Sequence, residues 1–118
     1  MKKILSLLLV ILILGCFVGC DSIPEGMPEH TYKLGVEALD VTDQYLDLKI
    51  TKDEAKNRLD ELLDRINSLD NGDLQTNFIW TDINSICWEL VQLDSSDMEI
   101  ITLRNRLAET LGKTIRNY

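Results

Sequence analysis

The chain has 118 residues, with 12 Lys or Arg against 20 Asp or Glu and a net charge of −8. A surface this acidic repels nucleic-acid phosphates and anionic headgroups, so a nucleic-acid partner is excluded. The length suits one domain with a modest core, and three cysteines with one histidine give neither a disulfide framework nor a zinc ligand set.

Met1, Lys2 and Lys3 form a basic start, and Ile4 to Leu14 follow as an 11-residue apolar run interrupted only by Ser6. That is the organisation of a secretory signal. The apolar stretch from Ile4 to Val18 supplies 15 residues, fewer than the ~20 that a membrane span requires. At its foot stands "ILGCFVGCDS", residues 13–22. Two bulky apolar residues, a glycine and a cysteine occur there twice, and each set resembles the lipobox of bacterial lipoproteins. The resemblance implies that the cysteine thiol is acylated with a diacylglyceryl group carrying palmitate-type chains, and that the chain is cut just before it. Cys20 is the expected lipidation site, because Asp21 to Glu29 read as a polar tether. Cys16 is the alternative, with Phe17 and Val18 directly after it, and an uncleaved signal anchor is a third. On the first reading residues 1–19 are a removed signal peptide, 20–30 the lipid-anchored tether and 31–118 a helical domain. The mature chain then keeps 99 residues, loses Lys2 and Lys3, and carries 10 basic and 20 acidic residues, a net −10. The expected location is the extracytoplasmic face of a cell membrane.

From Thr31 to Lys49, Leu34, Ala38, Val41, Tyr45 and Leu48 recur at steps of four and three, and Tyr32, Val36, Leu39, Leu46 and Ile50 make a second apolar set. This predicts a helix whose wide apolar arc touches more than one neighbour. Thr51 to Leu69 is the clearest element. Thr51 with Glu54 matches a capping box, Ala55, Leu59, Leu62, Ile66 and Leu69 make the stripe, and Asn71-Gly72 signals a stop. Glu54 with Arg58 and Glu61 with Arg65 add pairs at i,i+4. Ile50 and Thr51 alone are left to close one helix and start the next, which predicts an antiparallel hairpin.

Asp73 is placed to cap a third helix reaching about Leu93, with Ile79, Ile83, Ile86, Leu90 and Leu93 inward and Trp80, Cys87 and Val91 beside them. A short strand at Phe78 to Trp80 is the minor alternative. Ser96 with Glu99 matches a second capping box, and Ile100, Leu103, Leu107, Leu111 and Ile115 give a fourth helix its apolar face. The fold class is therefore all-α, a small bundle of about four amphipathic helices after a cleaved signal peptide and a short polar tether. The passage "YLDLKITKDEAKNRLDELLDR" faintly resembles the helical hairpin of the short C-terminal domain type of bacterial domains; no function is carried over from it.

Residues with catalytic or metal-binding chemistry are few. His30 falls beside Pro28 and Glu29 in the expected tether, and Cys87 reads as a buried small hydrophobe without a basic partner to activate it. Asp60 with Asp64 and Asp43 with Asp47 share helix faces, and Asp70-Asn71-Gly72-Asp73 reads as a turn; in a chain with 20 acids such pairs are expected by chance. No catalytic residue, metal ligand or cofactor is assigned, and the chain is not expected to be an enzyme. The expected function is a membrane-anchored, non-catalytic interaction module of the cell envelope, binding an envelope protein or itself. The alternative is an accessory enzyme or small-ligand-binding lipoprotein with a pocket between helices near Trp80 and Trp88. Arg104, Arg106, Lys113 and Arg116 stand out against the acidic remainder. They offer an interface for a protein partner with an acidic patch or for lipid headgroups. Otherwise Arg104 and Arg106 pair with acidic faces of the preceding helices or of a second copy, while Lys113 and Arg116 favour the dipole at a helix C-terminus.

Overall fold

The computed structural model describes residues 22–69, 73–92 and 96–117. Among them are four helices and no strand: α1 (Glu29–Leu46), α2 (Lys52–Asn67), α3 (Leu74–Val91) and α4 (Asp97–Thr110). Each consecutive pair packs together, α1 also packs on α4 and diagonally on α3, and α2 does not reach α4. The wide arc of α1 thus meets all three of its companions.

The aliphatic stripes are where periodicity places them. Ala55, Leu59, Leu62 and Ile66 of α2, Ile79, Ile83, Ile86 and Leu90 of α3, and Ile100, Leu107 and Leu111 at α4 share one core. Thr51 caps α2, its hydroxyl oxygen accepting the Glu54 amide at 3.2 Å. Asp73 caps α3 through the Thr76 amide at 2.8 Å, and Phe78 to Trp80 are helical.

Helix α1 departs from its apolar pattern. Ala38, Leu39 and Val41 are buried as the period predicts, but the buried side also includes Thr31, Gly35 and Thr42, small residues that let α3 and α4 approach closely. A Cβ on Gly35 would lie 2.7 Å from Leu111 Cδ2. The two threonine hydroxyls are satisfied where they are buried. Thr42 donates to the Ala38 carbonyl at 2.8 Å, while Thr76 donates to Asp73 Oδ2 at 2.6 Å and so accepts from the Thr31 hydroxyl at 2.7 Å. A buried hydroxyl with its donor placed costs little.

Three element ends differ from expectation. Helix α1 stops at Leu46 rather than Lys49, so the turn to α2 takes Asp47 to Ile50. The Leu48 amide bonds the Tyr45 carbonyl and the Lys49 amide bonds Gln44, with Leu48 at φ 62° and 89% exposed. Thr51 must be extended to cap α2, and a reversal of the chain needs this left-handed residue. Leu48, expected on the inner stripe, is therefore turned out. Helix α4 stops at Thr110, where Gly112 at φ 70° sits in the same arrangement, its amide on Glu109 and that of Lys113 on Ala108. Ile115 consequently lies beyond the helix and is exposed. Ser96 makes no side-chain cap; its carbonyl takes the Glu99 amide instead.

The packed domain also begins earlier than Thr31. Met27 is buried, its amide bonded to the Pro24 carbonyl at 3.1 Å, and Pro24 lies on the α4 end near Gly112. Cys16, Cys20, Leu93 and the Asp70-Asn71-Gly72 turn fall outside the described residues.

Candidate functional site

The four basic residues of the C-terminal segment go to different places. Arg104 faces inward from α4 and is 4% exposed. Its Nε and Nη2 donate to Asp43 Oδ1 and Oδ2 at 2.7 and 3.0 Å, a bidentate pair, and its Nη1 reaches Asn105 Oδ1 and the Thr114 carbonyl. The segment after α4 folds back along it: the Arg116 amide donates to Asn105 Oδ1, Asn105 Nδ2 donates to the Arg116 carbonyl, and the Arg116 guanidinium lies 3.2 Å from Asp43 and 2.9 Å from Asp47. The hydrogen bond from Arg116 holds the Asp47 carboxyl below the usual carboxylate range. Asp43 and Asp47, a carboxylate pair in sequence, thus serve as the dock for two arginines. Lys113 stands 5.6 Å from the Tyr32 ring centre, in range of a cation–π contact.

Arg106 points the other way, towards α3. Its Nε donates to Asp82 Oδ1 at 2.7 Å; the arginine side chain is 54% exposed and the aspartate side chain only 7%. Burial pushes the Asp82 carboxyl up, against the opposing pull of Arg106. Beside this pair is a cleft of about 420 Å³ lined by Phe78, Thr81, Asp82, Arg106 and Thr110. Neither Trp80 nor Trp88 lines it. Trp80 is half-buried against the core, while Trp88 is 65% exposed on the outer side of α3.

The remaining candidates sit apart from one another. His30 is exposed on the first turn of α1. Cys87 is buried, and that burial, reinforced by the Asp60 carboxylate, pushes its thiol up to about 12, so it is protonated at neutral pH. Asp60 itself pairs with Lys56 at 3.0 Å. Among the described residues no group of His, Cys, Asp or Glu is arranged to hold a metal ion, and no helix is long and apolar enough to cross a membrane.

A surface feature that the periodicity reading passed over is the outer face of α3. Its exposed positions are Leu74, Asn77, Phe78, Thr81, Asn84, Trp88 and Val91, and none carries a charge. On α2, the neighbouring helix, the exposed positions include Lys52, Asp53, Glu54, Glu61, Asp64 and Arg65. The signal was in the sequence: between Leu74 and Val91 the only ionisable side chains of the acid and base types are Asp82 and Glu89. Large exposed apolar residues grouped on one face mark contact surfaces more often than isolated ones do. No protein-family model, curated protein or solved structure matches the chain.

Proposed function

We propose that the chain is a lipid-anchored, extracytoplasmic interaction module that docks protein through the outer face of α3 and has no catalytic role. The observation that supports this reading is the uncharged outer face of α3, with Leu74, Phe78, Trp88 and Val91 exposed on a chain of net charge −8. A helix needs no exposed tryptophan or phenylalanine to fold, and charges there would serve solubility better. Thr31 is committed to Thr76 and Arg104 to the partly buried Asp43, which favours a scaffold. The lipobox-like segment supplies the anchor: two acyl chains, at about 0.8 kcal/mol per buried methylene, hold a protein on a membrane stably.

Two measurements on the full chain test the reading. Mass spectrometry of the mature amino terminus should find diacylglyceryl-Cys20, and Cys20→Ala should abolish processing; lipidation that survives Cys20→Ala and is lost with Cys16→Ala assigns the other register. A photo-crosslinking amino acid placed at Trp88 should capture a discrete protein band in intact membranes, while the same group at Asn57 on the outer face of α2 should not. Equal capture at both positions, or none at Trp88, overturns the docking surface.

A further inference from the structure

We infer that the occupant of the α3 face is a second copy of this chain, packed with its own α3 antiparallel to the first. The inference rests on the reading of that face as a docking surface and names its partner. Leu74, Phe78, Thr81, Ser85 and Trp88 follow one another at steps of four, three, four and three, the spacing of a helix–helix seam. The seam is symmetric about the point midway between Thr81 and Ser85. When a copy is reversed end to end about that point, Phe78 shares a layer with Trp88 of the other chain, and Trp88 with its Phe78. Thr81 then shares a layer with Ser85 at the centre, and Leu74 with Gln92 at each end. An isologous contact requires this reciprocity, in which residue i meets j and j meets i. A heterologous partner does not.

The chemistry of the central layers fits close approach. Thr81 donates its hydroxyl to the Asn77 carbonyl and Ser85 donates to the Thr81 carbonyl, both at 2.8 Å. Their donors are already placed within α3, so covering them leaves no proton without a partner, and their size admits a neighbouring helix at roughly 8–10 Å. The outer layers pair two aromatic rings, which gain beyond their buried area when offset or edge-on.

Charge selects the face. Two copies of a chain at −8 repel one another across most of their surfaces, and the outer side of α2 is built of acids and bases. The exposed positions of α3 carry no charge, and its two acids stand at the rim, Asp82 paired with Arg106 and Glu89 half-buried beside Glu99. Area sets the strength. A face on 18 residues, a helix roughly 27 Å long, belongs to the small, transient class of contacts below about 1,200 Å² in total. Confinement of anchored copies to one membrane raises their effective concentration and favours such a weak pair.

The test uses the full chain in its membrane, in two differently tagged versions, Leu74→Cys and Gln92→Cys, co-expressed and oxidised with copper–phenanthroline. The antiparallel pair links the two kinds to each other, at least tenfold above the background from the unsubstituted chain. Adding Trp88→Asp to both should reduce that link at least tenfold, and so should Ser85→Trp, which blocks the central layer without removing an apolar contact. Thermal unfolding followed by circular dichroism should be unchanged for Trp88→Asp, since that side chain is largely exposed, so a lost link is a lost contact. Linking of Leu74→Cys to its own kind signifies a parallel pair and overturns the inference. Persistence of the mixed link with both disrupting variants overturns it too. No mixed link, together with capture of a different protein by a crosslinker at Trp88, overturns self-pairing while the docking surface stands; no mixed link and no capture removes both.

Discussion

Arg104 and Arg106 are two residues apart on one helix, each bound to an aspartate at 2.7 Å, and yet they belong to different kinds of structure. Arg104 is inside, with both carboxylate oxygens of Asp43, a carbonyl and an amide oxygen around it. Arg106 lies half in water and covers a buried carboxylate from outside. The difference teaches that an ion pair's worth depends on which partner has lost its water. A desolvated guanidinium must keep every contact, whereas an exposed one can leave at a small cost.

The largest effect that would break this comparison is Arg104→Ala. It leaves Asp43 with Arg116 alone, removes the bond that holds the Thr114 carbonyl and should lower stability by about 3 kcal/mol, the lower end of the cost of breaking a buried pair, because Asp43 is partly exposed and keeps one arginine; chemical denaturation monitored by circular dichroism measures it. A loss below about 1 kcal/mol would put Arg104 in the same class as Arg106.

Arg106→Ala should cost about 1 kcal/mol at neutral pH, because Asp82 is left as a buried carboxylate with one fewer donor. That cost should shrink in acid. The folded carboxyl of Asp82 is raised above its unfolded value of 3.8, so its contribution to stability is full below that value and is lost as pH rises through the raised one. Asp82→Asn should remove this dependence. Asp47 has the opposite sign: its lowered carboxyl contributes above the unfolded value of 3.8 and loses that contribution as pH falls through the lowered one, so Asp47→Asn should flatten the acid side of the curve. Stability measured across the pH range from 2 to 7 in the three proteins separates the two signs.

The ends of the helices sharpen the contrast between α1 and α4. Both close with the same pair of backbone bonds, one through Leu48 and the other through Gly112. Leu48→Gly should raise stability by about 1 kcal/mol and Gly112→Ala should lower it by a similar amount, since a side chain in the left-handed region costs about 1–2 kcal/mol. The smallest effect is at the start of α4. Ser96→Ala should change stability by no more than a few tenths of a kcal/mol, while Thr51→Ala should cost about 1 kcal/mol, because of these two residues Thr51 alone accepts an amide at its helix start. Equal effects at the two positions would show that sequence pattern alone identifies a cap.

The four helices, the Thr51 cap and the aliphatic stripes of α2 and α3 were legible in sequence, because apolar period and capping chemistry act within a few residues. The buried side of α1 was legible in part: Ala38, Leu39 and Val41 follow the apolar period, whereas Thr31, Gly35 and Thr42 carry no hydrophobic signal, and their burial follows from how closely α3 and α4 approach. Arg104 was visible as a charge but not as a core residue, since its partner Asp43 is 61 positions away. The early end of α1 at Leu46 escaped for a related reason. Leu48 continues the apolar period, but the turn into Thr51 takes precedence over one more contact. The α3 face was missed in a different way, because attention to where charges gather overlooks where they are missing.

Helix α3 carries two tryptophans on different sides, Trp80 half-buried with its indole Nε1 enclosed and without a hydrogen-bond partner among the described residues, and Trp88 open to water. Optically these are two separate reporters in one chain. An indole among aliphatic side chains, donating no hydrogen bond, emits towards the blue and resists acrylamide; one in water emits towards the red and is quenched freely. Melting the bundle should move the blue component alone, and covering the outer face of α3 should move the red one alone. The intact protein therefore distinguishes unfolding from association by colour, with no label attached.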